Sequence, residues 1–293
     1  MQGISNYEIS VEDIKMKKLL ATLLSVLLIC SVCSLVACNK KDDDIEGAIT
    51  NYTETTTYDI KDASGKVLGT LSYKAKGTDY AIITGYTSRI SGAHSLIIPE
   101  VLPGSERTVV EIGNEAFKDC ASLSSVKLPE TVEKIGNGAF NRCSSIYKIN
   151  IPANVASIGM YAFAGCDSLT IVNFAQEKPL LTEIGNSAFN GCAIKSITIP
   201  EGVVSIGEGA FFECEQLKAV TLPESLTSIG KVAFAMCDAL ETVTLGSNIE
   251  SLGKYALGTL ATDKPEVLVY QAGSTTDKTI NNIVDEAPET DGE

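Results

Sequence analysis

Six cysteines recur at nearly constant spacing: Cys120, Cys143, Cys166, Cys192, Cys214 and Cys237. Thiols in such numbers can form disulfides, hold zinc or act as nucleophiles, and each chemistry needs a particular geometry. A disulfide needs facing Cβ vectors, whereas residues at one repeated position point the same way. Zinc needs converging ligands, commonly paired as C-x-x-C, and here one cysteine occurs per interval. The expectation is therefore a column of buried free thiols that pack as small apolar groups. No metal site is expected. Other reactive groups are sparse. The single histidine, His94, sits in the polar stretch Ser91-Gly92-Ala93-His94 and is expected to be solvated, with no nucleophile arrangement around it. Nucleophile-elbow, phosphate-loop and zinc-protease motifs are absent from the sequence, and the acids are scattered. No catalytic residue and no cofactor is assigned, and the chain reads as a non-enzyme.

The cysteines are set by a repeat. Ile-Gly pairs stand at Ile112-Gly113, Ile135-Gly136, Ile158-Gly159, Ile184-Gly185, Ile206-Gly207 and Ile229-Gly230, then Leu252-Gly253, at intervals of 23, 23, 26, 22, 23 and 23 residues. A period in this range marks a solenoid whose units bury their apolar side only by stacking. Each unit reads as one β-strand followed by a short helical or irregular return segment. In Leu217 to Leu222, alternation sends Val220 and Leu222 inward and Ala219 and Thr221 to solvent. Pro223, lacking an N–H, ends the strand. The Gly after each Ile fits a tight bend. Phe117, Phe140, Phe163, Phe189, Phe211 and Phe234 form a second column, expected in the core.

The unit I-G-x-x-A-F-x-x-C-x-x-L-x-x-V-x-L-P, in force over about 110–260, resembles the BspA-type leucine-rich repeat of bacterial surface proteins. The resemblance implies a right-handed leucine-rich-repeat solenoid and, as function, adhesion or attachment to a protein or other macromolecule without catalysis.

Upstream, 58–109 reads as a small β-rich N-terminal cap, with strands punctuated by Ser64-Gly65, Gly69 and Gly77, and a partial repeat at Leu96-Ile97-Ile98-Pro99. Residues 1–37 read as an export signal with an n-region extension, Met16 being a second candidate start before Lys17-Lys18 and the apolar run Leu19 to Ala37. That run is long enough to span a bilayer, so a retained anchor is one reading. The other is that Leu35-Val36-Ala37-Cys38 resembles a lipobox, making Cys38 the lipidated residue and membrane anchor. Residues 38–57 then form a tether, and Asn39 to Asp44 resembles the surface-export signal of lipoproteins in Bacteroidetes-type bacteria. Outer-membrane attachment facing the cell exterior is the expected location. A periplasm-facing lipoprotein that scaffolds an envelope complex is the alternative. Residues 261–293 read as a C-terminal cap with a last strand at Glu266-Val267-Leu268-Val269-Tyr270, a short helix over 275–284, and an acidic tail over 286–293.

With 37 acidic against 23 basic side chains the net charge is -14, which excludes nucleic acid as main partner. Outward strand positions form two columns: Lys127, Asn150, Asn173, Thr198, Thr221, Thr244, and Ser125, Lys148, Ile171, Ser196, Ala219, Thr242. The third unit is stretched through Phe174 to Leu181. Candidate surface contacts are Tyr147, Lys148, Gln176, Glu177 and Lys178, with Tyr161 and Tyr255 as further exposed aromatics.

Overall fold

The structure, a computed structural model, describes residues 55–62 and 64–257, and the backbone of 268–271. The export signal, Cys38, the tether and the expected helix over 275–284 lie outside them.

Three strands, β1 (Thr56–Lys61), β2 (Val67–Lys76) and β3 (Tyr80–Ser88), open the fold as an antiparallel meander. β4 (His94–Ile97), β5 (Val101–Leu102) and β6 (Arg107–Ile112) lead into the repeats. From there each coil contributes two strands on different sheets. The strands after the cysteines are β7 (Leu123–Lys127), β9 (Lys148–Ile151), β11 (Ile171–Phe174), β13 (Ser196–Thr198), β15 (Ala219–Thr221) and β17 (Thr242–Leu245). The two-residue strands at the Ile-Gly corner alternate with them: β8 (Lys134–Ile135), β10 (Ser157–Ile158), β12 (Glu183–Ile184), β14 (Ser205–Ile206), β16 (Ser228–Ile229) and β18 (Ser251–Leu252). β19 (Leu268–Gln271) pairs in parallel with β17.

The corner strands stack in parallel without interruption from β6 to β18. The meander joins the same sheet because β3 pairs in parallel with β6, so it covers the apolar end of the first coil. The longer strands form two separate sheets, β4-β7-β9-β11 and β13-β15-β17-β19. The interruption falls at the stretched third unit. There Ala175 stands where the neighbouring coils have Pro152 and Pro200, and its N–H donates to the Ile151 carbonyl at 3.1 Å. That bond carries β11 one residue further along β9.

The parallel strand per repeat is as expected, with a further two-residue corner strand in each coil, and of the helical or irregular return expected the irregular one is present: no α-helix occurs among the described residues. The reason is local. Each coil has two residues in the left-handed region, at Gly138 and Arg142 in the second unit and at Tyr161 and Gly165 in the third. They fall between successive i to i−3 turns, such as Ala139 N–H to Gly136 and Cys143 N–H to Phe140, and prevent these from merging into a helix. The same two places recur as Ser187 and Gly191, Gly209 and Glu213, then Val232 and Met236.

Val232, with φ 49°, is the β-branched occupant of this strained conformation. Val232→Gly is therefore expected to raise stability by about 0.5–1 kcal/mol, since the left-handed cost falls on Cβ-bearing residues. A urea titration giving a lower midpoint would contradict this.

The Ile-Gly glycines are explained by stacking, not by the bend expected from the sequence. Gly207 has no positive φ, yet a β-carbon on it would lie 2.6 Å from the Asn186 nitrogen and 2.7 Å from the Gly185 carbonyl carbon of the preceding coil. The backbones approach so closely there that no side chain fits between them. Inside, the six phenylalanines are all at most 1% exposed. Their rings stack at 4.9 to 5.2 Å with interplanar angles of 2 to 8°. Tyr86 of the cap continues the column, tilted 34° at 5.6 Å from Phe117.

Candidate binding surface

The positions of the thiols decide whether the solenoid holds chemistry. All six repeat cysteines are free. Five are buried, and each sulfur donates to the phenylalanine carbonyl of the preceding coil: Cys143 to Phe117 at 3.0 Å, Cys166 to Phe140, Cys192 to Phe163, Cys214 to Phe189 and Cys237 to Phe211, each at 3.2 Å. They are more than apolar filler, since each S–H adds a coil-to-coil bond. Cys120 departs from the buried column expected. It is partly exposed, and it belongs to the first full coil, before which no such phenylalanine carbonyl stands. Burial pushes Cys120 up to about 11 and Cys166 up to about 12, and raises Cys143 and Cys192 well above the ordinary thiol range. Cys214 is raised as well, first by the neighbouring Cys237 thiol and then by burial. Thiols held neutral in this way are poor nucleophiles and poor metal ligands.

His94 also departs from expectation. It begins β4, and its Nε2 lies 2.9 Å from the Tyr86 hydroxyl while Nδ1 lies 3.2 Å from the Gly92 carbonyl. A carbonyl only accepts, so Nδ1 carries the proton and neutral Nε2 accepts from Tyr86. The pair ties cap to solenoid and supplies the partner that a part-buried tyrosine needs. Among the described residues no group of three metal-ligating side chains converges.

What remains is surface. The outward columns stack in the expected register: Ser95, Ser125, Lys148 and Ile171 in one row, Ile97 beside Lys127, and Asn150 beside Asn173. Beyond the break, Ser196, Ala219 and Thr242 align, as do Thr198, Thr221 and Thr244. Asn173 donates to Asn150 at 2.9 Å. Sequence reasoning passed over Ile97, which is 65% exposed; the signal was the partial repeat, which places it in the Lys127 row.

Of the candidate contacts, Tyr147 is exposed and adjoins Lys148 at the start of β9. Gln176, Glu177 and Lys178 follow the end of β11, so the two groups flank opposite ends of neighbouring strands, roughly 13 Å apart at the strand rise. They are not one cluster. Tyr161 and Tyr255 are exposed at the corner turns, on a different side of the coil. A shallow open groove of about 290 Å³ runs between Lys127, Glu130, Asn150, Pro152, Asn173 and Ala175, close to the insertion.

Comparison with known proteins decides the family. The model for the BspA type leucine rich repeat region matches residues 103–192 and 182–261, with six copies. The chain belongs to the BspA-type leucine-rich-repeat family. Among solved structures, this BspA-type solenoid is similar to a leucine-rich repeat protein from Bacteroides ovatus, with 36% identity over 61% of this chain and 46% of that one, and a TM-score of 0.55. It is also similar to the leucine rich repeat protein TpLRR of T. pallidum, with 31% identity over 62% of this chain and 83% of that one, and a TM-score of 0.56. The match thus spans under half of the Bacteroides ovatus chain. No curated protein matches the sequence.

Proposed function

We propose that this BspA-type protein is a lipid-anchored, cell-surface binding protein that attaches to another macromolecule through the outward face of its longer strands. The observation that carries the reading is the division of labour within each coil. The repeating residues are the buried ones, such as Ile135, Ala139, Phe140, Cys143 and Ile149, whereas outward strand positions change along the solenoid, as from Ser125 to Lys148 to Ile171 and from Lys127 and Asn150 to Thr198. A face whose scaffold is uniform and whose exposed residues vary is suited to recognition rather than catalysis. The lipobox-like Cys38 and the acidic run after it support anchoring and display.

Protease treatment of intact cells is expected to remove the protein, and Cys38→Ala to shift it out of the membrane fraction. Protection in intact cells with degradation only after permeabilisation would favour the periplasmic scaffold instead.

A further inference from the structure

The two sheets of longer strands present different chemistry. Outward residues of β13, β15 and β17 are small and neutral: Ser196, Thr198, Ala219, Thr221, Thr242 and Thr244. The β4-β7-β9-β11 sheet instead presents Lys127 and Lys148 with Ile97, 65% exposed, and Ile171, 43% exposed, and no carboxylate among its outward positions. Neither lysine takes part in the ion pairs found among the described residues. A cationic and aliphatic patch on a chain of net charge -14 is a local reversal of sign. Charge complementarity therefore favours an acidic partner on this face.

Resting on the binding function proposed above, we propose that the β4-β7-β9-β11 face docks an acidic protein segment carrying aliphatic side chains. Lys127 and Lys148 pair with its carboxylates while Ile97 and Ile171 take its apolar side chains. The aliphatic pair selects protein over acidic polysaccharide, which could satisfy the lysines but leaves both isoleucines against water. Tyr147, beside Lys148, adds an aromatic contact at the edge. Raised salt weakens the pairing, because Lys127 is exposed and Lys148 only half-buried, so ions screen both.

The test uses fluorescence anisotropy with the mature lipid-free chain and short labelled peptides of Glu, Asp and Leu. The controls are the same peptides with Lys in place of the acids, and labelled polygalacturonate. Binding of the acidic peptide that falls at least about tenfold in Lys127→Glu/Lys148→Glu, but not in Lys195→Glu/Lys218→Glu, which immediately precede β13 and β15, supports the proposal. Equal loss in both double variants overturns it, since net charge alone would then explain the effect. Preference for the basic peptide or for polygalacturonate overturns the partner chemistry and leaves the binding function standing. Binding in no arm counts against both.

Discussion

Moving from about pH 7.5 to about pH 9.5 is expected to cost the folded protein about 5–6 kcal/mol, through ionisation of thiols in the unfolded chain. The direction follows from the folded-state values. Cys143, Cys166, Cys192 and Cys214 all ionise well above the ordinary thiol range when folded. In the unfolded chain each returns to about 8.5. Above that pH the unfolded state holds fewer protons than the native state, so stability falls as pH rises, and the loss continues until the folded thiols ionise in turn. Each fully protected thiol contributes about 1.4 kcal/mol of loss one pH unit above its unfolded value. Cys120, partly exposed, adds little because solvent screens its shift. A loss of this size is comparable to the whole stability of many domains. Urea midpoints under reductant at the two pH values measure it. The single variant Cys192→Ala should flatten the slope by about a quarter, and an unchanged slope would show that its thiol titrates normally in the fold.

The thiol column shows where sequence and structure agree and where they part. That the cysteines, phenylalanines and Ile-Gly isoleucines face inward was legible, because residues repeated at one position of a stacked coil must share one environment. Their hydrogen bonds were not. A cysteine written every 23 residues does not disclose that its sulfur meets the phenylalanine carbonyl of the coil before it. The asparagine ladder was equally hidden: Asn114 Oδ1 accepts from the Asn137 amide and Asn137 Oδ1 from the Met160 amide, and Met160 then breaks the series. The left-handed positions escaped notice because their occupants are chemically unrelated. Glu115, Tyr161, Ser187, Val232 and Tyr255 share a backbone conformation set by the coil, and Gly138 and Gly209 alone at that place carry the usual signal. The glycine after isoleucine was visible, but its cause lies in the neighbouring coil. For the surface, the outward columns could be written down from alternation. The separation into a cationic and a hydroxyl-bearing half could not, because it depends on a sheet break where an insertion and the loss of a proline coincide.

The phenylalanine column sets the other large effect, about 3–5 kcal/mol for Phe211→Ala. Phe211 is fully buried, with Phe189 at 5.2 Å on one side and Phe234 at 5.0 Å on the other, both nearly parallel to it. Truncation removes the transfer free energy of the ring, leaves a cavity, and breaks two offset stacks worth about 0.5–1.5 kcal/mol each beyond burial. The cavity cannot readily close, because Ala210 and Gly207 hold the flanking backbone against the neighbouring coils through bonds such as Phe211 N–H to Ala233 at 2.8 Å and Gly207 N–H to Ile184 at 2.8 Å. Solenoid stability is a sum of unit and nearest-neighbour terms, so the substitution weakens both interfaces of the fifth coil. Unfolding of Phe211→Ala is therefore expected to lose its single transition. The β13-β15-β17 end melts first, while the coils joined to the meander through Tyr86 and Phe117 hold to higher urea. Phe211→Leu, which keeps most of the volume, should cost about 1–1.5 kcal/mol and preserve one transition. A loss below about 1 kcal/mol for the alanine variant would place the ring outside the core, contrary to the stacking that the whole coil geometry requires.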